Sequence, residues 1–264
     1  MTDRPIIFSA AMIRALLAGQ KTQTRRLLRP QPARSLTSRG KEVWTAHTRS
    51  GGGFGNLAAS LVERHAPATL CHVVAGDRLW VREAWSHAGI GVWTIANARM
   101  AGPGAALYRA DGEAPGTKYW PSIHMPREFS RLTLAVQDVR VQRLRDISEE
   151  DAVAEGVSNN MTAAGAMFWT PPTSREYLDS ATFAFADLWK RIYGPGAWAA
   201  NPWVMALTFD VRLGNIDAPG NARSCSVCGC TPEYARRLKQ NADAAERWLV
   251  KQAALRALAE ESEA

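Results

Sequence analysis

The stretch from Leu16 to Arg26, Leu-Leu-Ala-Gly-Gln-Lys-Thr-Gln-Thr-Arg-Arg, constrains the fold more than any other part of the chain. Ile13, Leu16 and Leu17 share one face of a helical run over 10–18; Ser9 stands where an N-cap is needed and Gly19 where the helix must end. The Thr-Gln-Thr that follows favours extended chain, so a helix hands over to a strand across a glycine turn. In an ideal strand Lys21 and Thr24 point to opposite faces, and they converge only if the turn after Gly19 offsets one of them. An amine, two hydroxyls and the guanidiniums of Arg25 and Arg26 therefore sit at a rigid junction. The plainer alternative is a solvated lysine beside ordinary strand threonines.

With 264 residues, nearly half of them apolar, the chain can bury a substantial core. Its net charge of +7 is concentrated at one end: residues 1–50 hold ten Lys/Arg against Asp3 and Glu42, a surplus of eight. Local basic character of this kind suits a polyanionic partner, with a solvated basic arm as the competing reading. No run of eighteen apolar residues occurs, and the N-terminal apolar run is broken by Arg14 with no small-residue cleavage site behind it. Neither a membrane span nor a secretory signal is expected, and the expected location is cytoplasmic.

Along the chain, Pro5-Ile6-Ile7-Phe8 reads as a short strand before the first helix. Residues 30–75 lose periodicity around Pro30, Pro32 and Gly51-Gly52-Gly53, and read as a long loop or insertion with a hairpin around Trp44. Gly76-Asp77 turns into a strand in which Leu79, Val81, Glu83 and Trp85 share a face. Glu83 thus points inward and needs a partner, either an arginine or a ligand. Residues 86–117, Gly/Ala-rich, read as a second insertion of hairpin and loops. Between Pro121 and Pro126 the chain is held extended, with Ser122 and His124 on one side. Residues 131–144 form a long strand whose apolar parity changes, so a bulge is expected near Gln137-Asp138. Ser148 opens an acidic helix that Gly156 closes, leaving Glu155 at its C-terminal end, where the helix dipole disfavours an anion and a cation is wanted. An amphipathic helix over 175–193 and a closing strand over 201–211 complete a domain spanning 1–213.

A linker over 214–224 then leads to Cys225, Cys228 and Cys230. Cys-x-x-Cys supplies half of a tetrahedral zinc site, and closing it needs Cys230 with Cys71, His72 or another molecule. Residues 234–261 read as a helix with a weak apolar stripe that docks on the domain or pairs with its copy in a homodimer.

The order helix, Gly-x-Lys-x-x-x-x-Arg turn, strands, acidic helix ending in Glu-Gly, and final aromatic strand resembles the ASCH family, which shares the PUA-like β-barrel. The family's usual Gly-x-Lys-x-x-Glu-x-Arg is met at Gly19, Lys21 and Arg26, with Thr24 in the glutamate's place. Small bacterial amidohydrolases of this family, which deacetylate N4-acetylcytidine, carry lysine and threonine at this spacing and a glutamate near the end of the acidic helix. The resemblance covers residues 5–213 in outline, and its long form is similar to ASCH-like proteins of phages and prophages through Gly76–Glu83 and Trp120–Arg127. It implies an α+β fold, a small PUA-like barrel with flanking helices. It also implies RNA or a modified nucleoside as partner, and Lys21, Thr24 and Glu155 as a metal-free hydrolytic trio. A lysine with depressed pKa would activate the threonine hydroxyl while the glutamate moves a proton to the leaving amine. Arg25, Arg26, Glu83, Trp85, Ser122 and His124 are the candidate substrate contacts. A non-catalytic RNA- or DNA-binding module and an ASCH-type ribonuclease are the alternatives.

Overall fold

The computed structural model describes residues 2–47, 53–114, 116–161, 167–173 and 178–218. The chain divides into two units, Met1–Asp217 and Ala218–Ala264, and the fold below is that of the first. The cysteine cluster, most of the expected linker and the expected C-terminal helix lie outside the described residues.

Ser9 caps α1 (Ala10–Leu17), its hydroxyl accepting from Met12 N at 3.4 Å, and the helix ends before Gly19, whose φ of +69° is a left-handed turn suited to glycine. The helix follows β1 (Asp3–Ile7) and leads into β2 (Gln23–Leu27). Ile13, Ala15 and Leu16 are its buried face, and each large side chain so enclosed contributes about 1.5–3 kcal/mol.

Of the long loop or insertion expected over 30–75, the hairpin around Trp44 is present, with β3 (Ala33–Leu36) and β4 (Glu42–His47) paired antiparallel; beyond that expectation, β5 (Gly53–Leu57) extends the sheet and α2 (Ala59–Thr69) follows. Trp44 sits in the middle of that sheet. β3 is exposed at every residue and α2 contains Pro67, so neither carries the local pattern that marks a strand or helix.

β6 (Arg78–Arg82) breaks at Glu83 and resumes as β7 (Trp85–His87), which pairs with β8 (Ala106–Tyr108) around α3 (Ile95–Ala101). β9 (Leu132–Arg143) is continuous, and its pairing with β12 (Trp203–Leu213) shifts register between Thr208 and Phe209: Thr208 faces Asp138, Phe209 faces Val136. Gln137 is the extra residue, which explains the change of apolar parity. Between lie α4 (Glu149–Ala154), β10 (Ser158–Met161), β11 (Met167–Thr170) and α5 (Ala181–Tyr193). α5 starts six residues later than the expected 175. Its cap is Ser180, and Glu149 of α4 accepts from Ala181 N at 2.8 Å, tying the two helices together.

The architecture is mixed α+β. A five-stranded mixed sheet has the order β1-β6-β9-β12-β2, parallel only between β1 and β6. Its largest core encloses Leu79, Val81, Leu134, Met205, Leu207 and Phe209 with Ile13 and Leu16 of α1; a second joins α4 and α5, and a third gathers around Trp85. β1 and β2 stand at the two ends of the order. Among the described residues no backbone pairing joins them, but the Arg26 Nη2 donates to Ile7 O across the gap at 2.7 Å.

Gly156 ends α4 with φ +96°, and a Cβ there would lie 3.2 Å from Ala15 Cβ and 3.4 Å from Lys21 Cβ. Gly40 has φ +73° with nothing within 4 Å. Gly156→Ala is therefore expected to cost about 2–4 kcal/mol by urea denaturation, against about 1 kcal/mol for Gly40→Ala. Equal costs would show that the α1–α4 approach is not tight.

Candidate functional site

The turn after Gly19 supplies the offset that the sequence requires. Gln20 N and Lys21 N both donate to Ala15 O, at 2.9 and 3.1 Å, folding the chain back on α1. Lys21 then forms an isolated antiparallel bridge with Glu155, and Thr22 N donates to Ala154 O at 2.9 Å. The end of α4 is thereby stitched to the start of β2.

Lys21 is wholly enclosed, and its Nζ donates at 2.7 Å both to Glu155 Oε2 and to the Glu155 carbonyl. The other carboxylate oxygen of Glu155 accepts from Arg25 Nη1 at 3.3 Å. Arg25 Nη2 reaches Asp151 Oδ2 at 2.5 Å, and Gln23 and Arg140 also donate to Asp151. The anion at the helix end is thus met by two cations, one of them also held by an acid a turn earlier on α4. Burial lowers the Lys21 pKa; Glu155 opposes this, while the charges of Arg26 and Arg25 add to the lowering. Burial works to raise the Asp151 carboxyl, but the charge of Arg25 and the hydrogen bonds of Arg140 and Gln23 hold it below the usual range.

Thr24 lies beside this network, 4% exposed, and its hydroxyl has no hydrogen-bond partner among the described residues. With Glu155, Arg25, Arg26, Phe185 and Trp189 it borders a cavity of about 30 Å³, the space of one water molecule. A second cavity, about 490 Å³, opens between β1 and β2; Arg26 and Tyr193 border both, and Lys21 borders neither. The structure therefore joins the amine to the acid and sets the alcohol beside the acid, in a space too small for a nucleoside.

The remaining candidate contacts lie elsewhere. Glu83 is an ion-paired residue: Arg131 grips its carboxylate at 2.8 and 3.0 Å, binds Asp111 as well, and stacks on Tyr108 at 4.0 Å. Burial raises the Glu83 pKa, with Arg131 opposing. Trp85 has no exposed surface and packs on Trp120 and Phe129, with ring centroids 4.7 and 4.5 Å away, so it offers no face to a ligand. Ser122 and His124 do not share one side of an extended path. They lie in a 3-10 turn, Ser122–His124, because Pro121 sets up a tight turn rather than a straight segment. None of these four is linked by a described hydrogen bond, ion pair or ring contact to Lys21 or Glu155. Asp151 and Gln23 belong to the network and were missed by sequence reasoning; the four-residue spacing of Asp151 and Glu155 on one helical face is the signal that could have found Asp151.

Among the described residues no cluster of three or more His, Cys, Asp or Glu is placed to hold a metal, and no helix is long and apolar enough to cross a membrane. Comparisons with family models, with curated proteins and with solved structures give no match.

Glu155→Gln leaves two buried cations facing a neutral group and is expected to cost about 3–5 kcal/mol in urea denaturation. Lys21→Met should cost less, since Arg25 still faces Glu155, and the double variant less than the sum of the two. Strict additivity would mean that the pair is not coupled. A carboxylate whose folded pKa lies below its unfolded value, as for Asp151, Asp3, Asp77 and Glu149, contributes stability present above the unfolded pKa and lost as pH falls through the folded one. The melting temperature should accordingly drop between about pH 5 and pH 2, and Asp151→Asn should flatten part of that drop.

Proposed function

We propose that this chain is an ASCH-type, PUA-like module that recognises RNA or a modified nucleoside. The reading is supported by the strand order, in which β1 and β2 stand at the two ends and are linked by the Arg26–Ile7 side-chain bridge, as the edges of a small barrel would be, and by the basic N-terminal region. The observation that carries recognition over hydrolysis is the state of Lys21: both of its close acceptors belong to Glu155 and no surface of it is exposed. An amine so held acts as a joint between β2 and α4. Of the cations in the first fifty residues, Lys21, Arg25 and Arg34 are ion-paired to Glu155, Asp151 and Glu42, whereas Arg4, Arg26 and Arg29 make no ion pair among the described residues and are left for an anionic partner.

A hydrolytic reading is favoured by two features of the same site, the unpartnered Thr24 hydroxyl and the lowered Lys21 pKa. In that scheme neutral Lys21 takes the threonine proton and Thr24 Oγ1 attacks the acyl carbon of an N4-acylcytosine. The amine departs with a proton relayed by Glu155, and water then releases the carboxylic acid from the threonine ester. It requires Lys21, which borders neither cavity, to turn from Glu155 toward Thr24, and the small cavity lined by Phe185 and Trp189 to widen.

Oligonucleotide binding by fluorescence anisotropy, with acetate release from N4-acetylcytidine measured alongside, separates the two readings. Recognition predicts binding that weakens by about tenfold or more between 50 and 200 mM salt, survives Thr24→Ala, and is accompanied by no acetate. Acetate release that Thr24→Ala abolishes in a folded protein would establish hydrolysis, and absence of binding to oligonucleotide and nucleoside alike would sink the recognition proposal.

A further inference from the structure

The cavity of about 490 Å³ between β1 and β2 is of the size that takes a small organic ligand. It is lined by Arg4, Arg26, Arg29 and His72, and no carboxylate among the described residues borders it. The acids closest in sequence are committed elsewhere: Asp3 to Arg78 and Arg127, Asp77 to the amides of Thr2 and Val74. Neither Arg4 nor Arg29 makes an ion pair among the described residues, and the Nε atoms of Arg4 and Arg26 are enclosed without a hydrogen-bond partner there. Arginines normally satisfy such donors. Burial and the charge of Arg4 both lower the His72 pKa, as an uncompensated cation beside the imidazole would. The buried part of the lining is apolar, with Leu79, Met205 and Leu207; Ile6 is half-buried, and Tyr193 also lines the Thr24 cavity. β1 and β2 are both edge strands of the described sheet, and Ile7 O at the gap is already taken by Arg26.

A cationic mouth over an apolar floor selects a ligand with an anionic end and a flat, weakly polar body. Guanidinium forks match the oxygens of a phosphate monoester, and several arginines with no acid among them favour a dianion. We infer that the gap between β1 and β2 binds a nucleoside monophosphate group, free or at the 5′ end of a strand, with the phosphate on Arg4, Arg26 and Arg29 and the base against Leu79, Met205 and Tyr193. The inference rests on the recognition reading above and adds to it the site and the phosphate.

The test is calorimetric titration of the full chain with CMP, cytidine, inorganic phosphate, and a short RNA with or without a 5′-phosphate. CMP is expected to bind at least about tenfold more tightly than cytidine or inorganic phosphate. Arg4→Gln and Arg29→Gln should each weaken CMP by about five- to tenfold while leaving cytidine unchanged. Tighter binding of the 5′-phosphorylated RNA than of its 5′-hydroxyl form would identify a strand end as the source; equal binding of the two RNAs with tight CMP would identify the free nucleotide. Melting temperatures accompany each variant, and Arg29, exposed and outside the strands, serves if Arg4→Gln unfolds the protein. CMP no tighter than cytidine, inorganic phosphate as tight as CMP, or CMP affinity untouched by Arg29→Gln would overturn the site. If RNA still binds in a salt-dependent way under those results, recognition stands and lies on another surface; if nothing binds, both inferences fall.

Discussion

The bridge between Lys21 and Glu155 is the constraint on which the rest of this domain depends. It closes a contact across 134 positions of sequence and is made twice over, by side chains and by the neighbouring Thr22–Ala154 backbone bond. An ammonium removed from water loses far more than one hydrogen bond returns, so its burial is tolerable only because both the carboxylate and the carbonyl of Glu155 face it. Glu155 faces the opposite problem, an anion at the negative end of a helix, and Lys21 with Arg25 resolves it. Once that joint is set, Gly156 must be glycine, α1 must approach α4 closely, and β2 is fixed at one end of the sheet.

From β2 outward the consequences reach the basic face. Gln23 and Arg25 turn toward α4 and are consumed by Asp151, while Arg26 turns toward β1, rests over Phe8 at 5.0 Å and bridges to Ile7. Successive residues of one strand therefore serve two ends: Arg25 belongs to the internal network and Arg26 to the gap. The charge surplus that stands out in the first fifty residues is in this way divided between cations that lock the fold and cations left for a partner.

Much of this was legible in local sequence. The Ser9 cap, the Gly19 stop, the extra residue at Gln137 and the need for a cation at Glu155 all follow from short-range rules, and each is met. Where several distant segments decide the outcome, local rules were weaker. β3 is exposed at every position, so it has no alternation to detect, and it exists as a strand because β4 pairs with it. The inward face shared by Glu83 and Trp85 was readable, but its partners, Arg131 and Phe129, come from almost fifty residues on, and they turn a ligand-like constellation into packing. Prolines at 121 and 126 predict restricted backbone without saying whether the path is straight or turned, and here it is turned. The gap between β1 and β2 left no signal in either strand alone, since it arises from how the sheet ends.

Whether the Lys21 amine is sealed in a structural joint can be read from amine acylation of the native protein followed by peptide mass spectrometry. Lys41, Lys118 and Lys190 are exposed and serve as internal standards. A sealed Lys21 stays unmodified while these three are labelled, and becomes reactive only on unfolding. Labelling of Lys21 at the rate of Lys41 in the folded chain would contradict it, and would return the amine to the list of groups free to do chemistry.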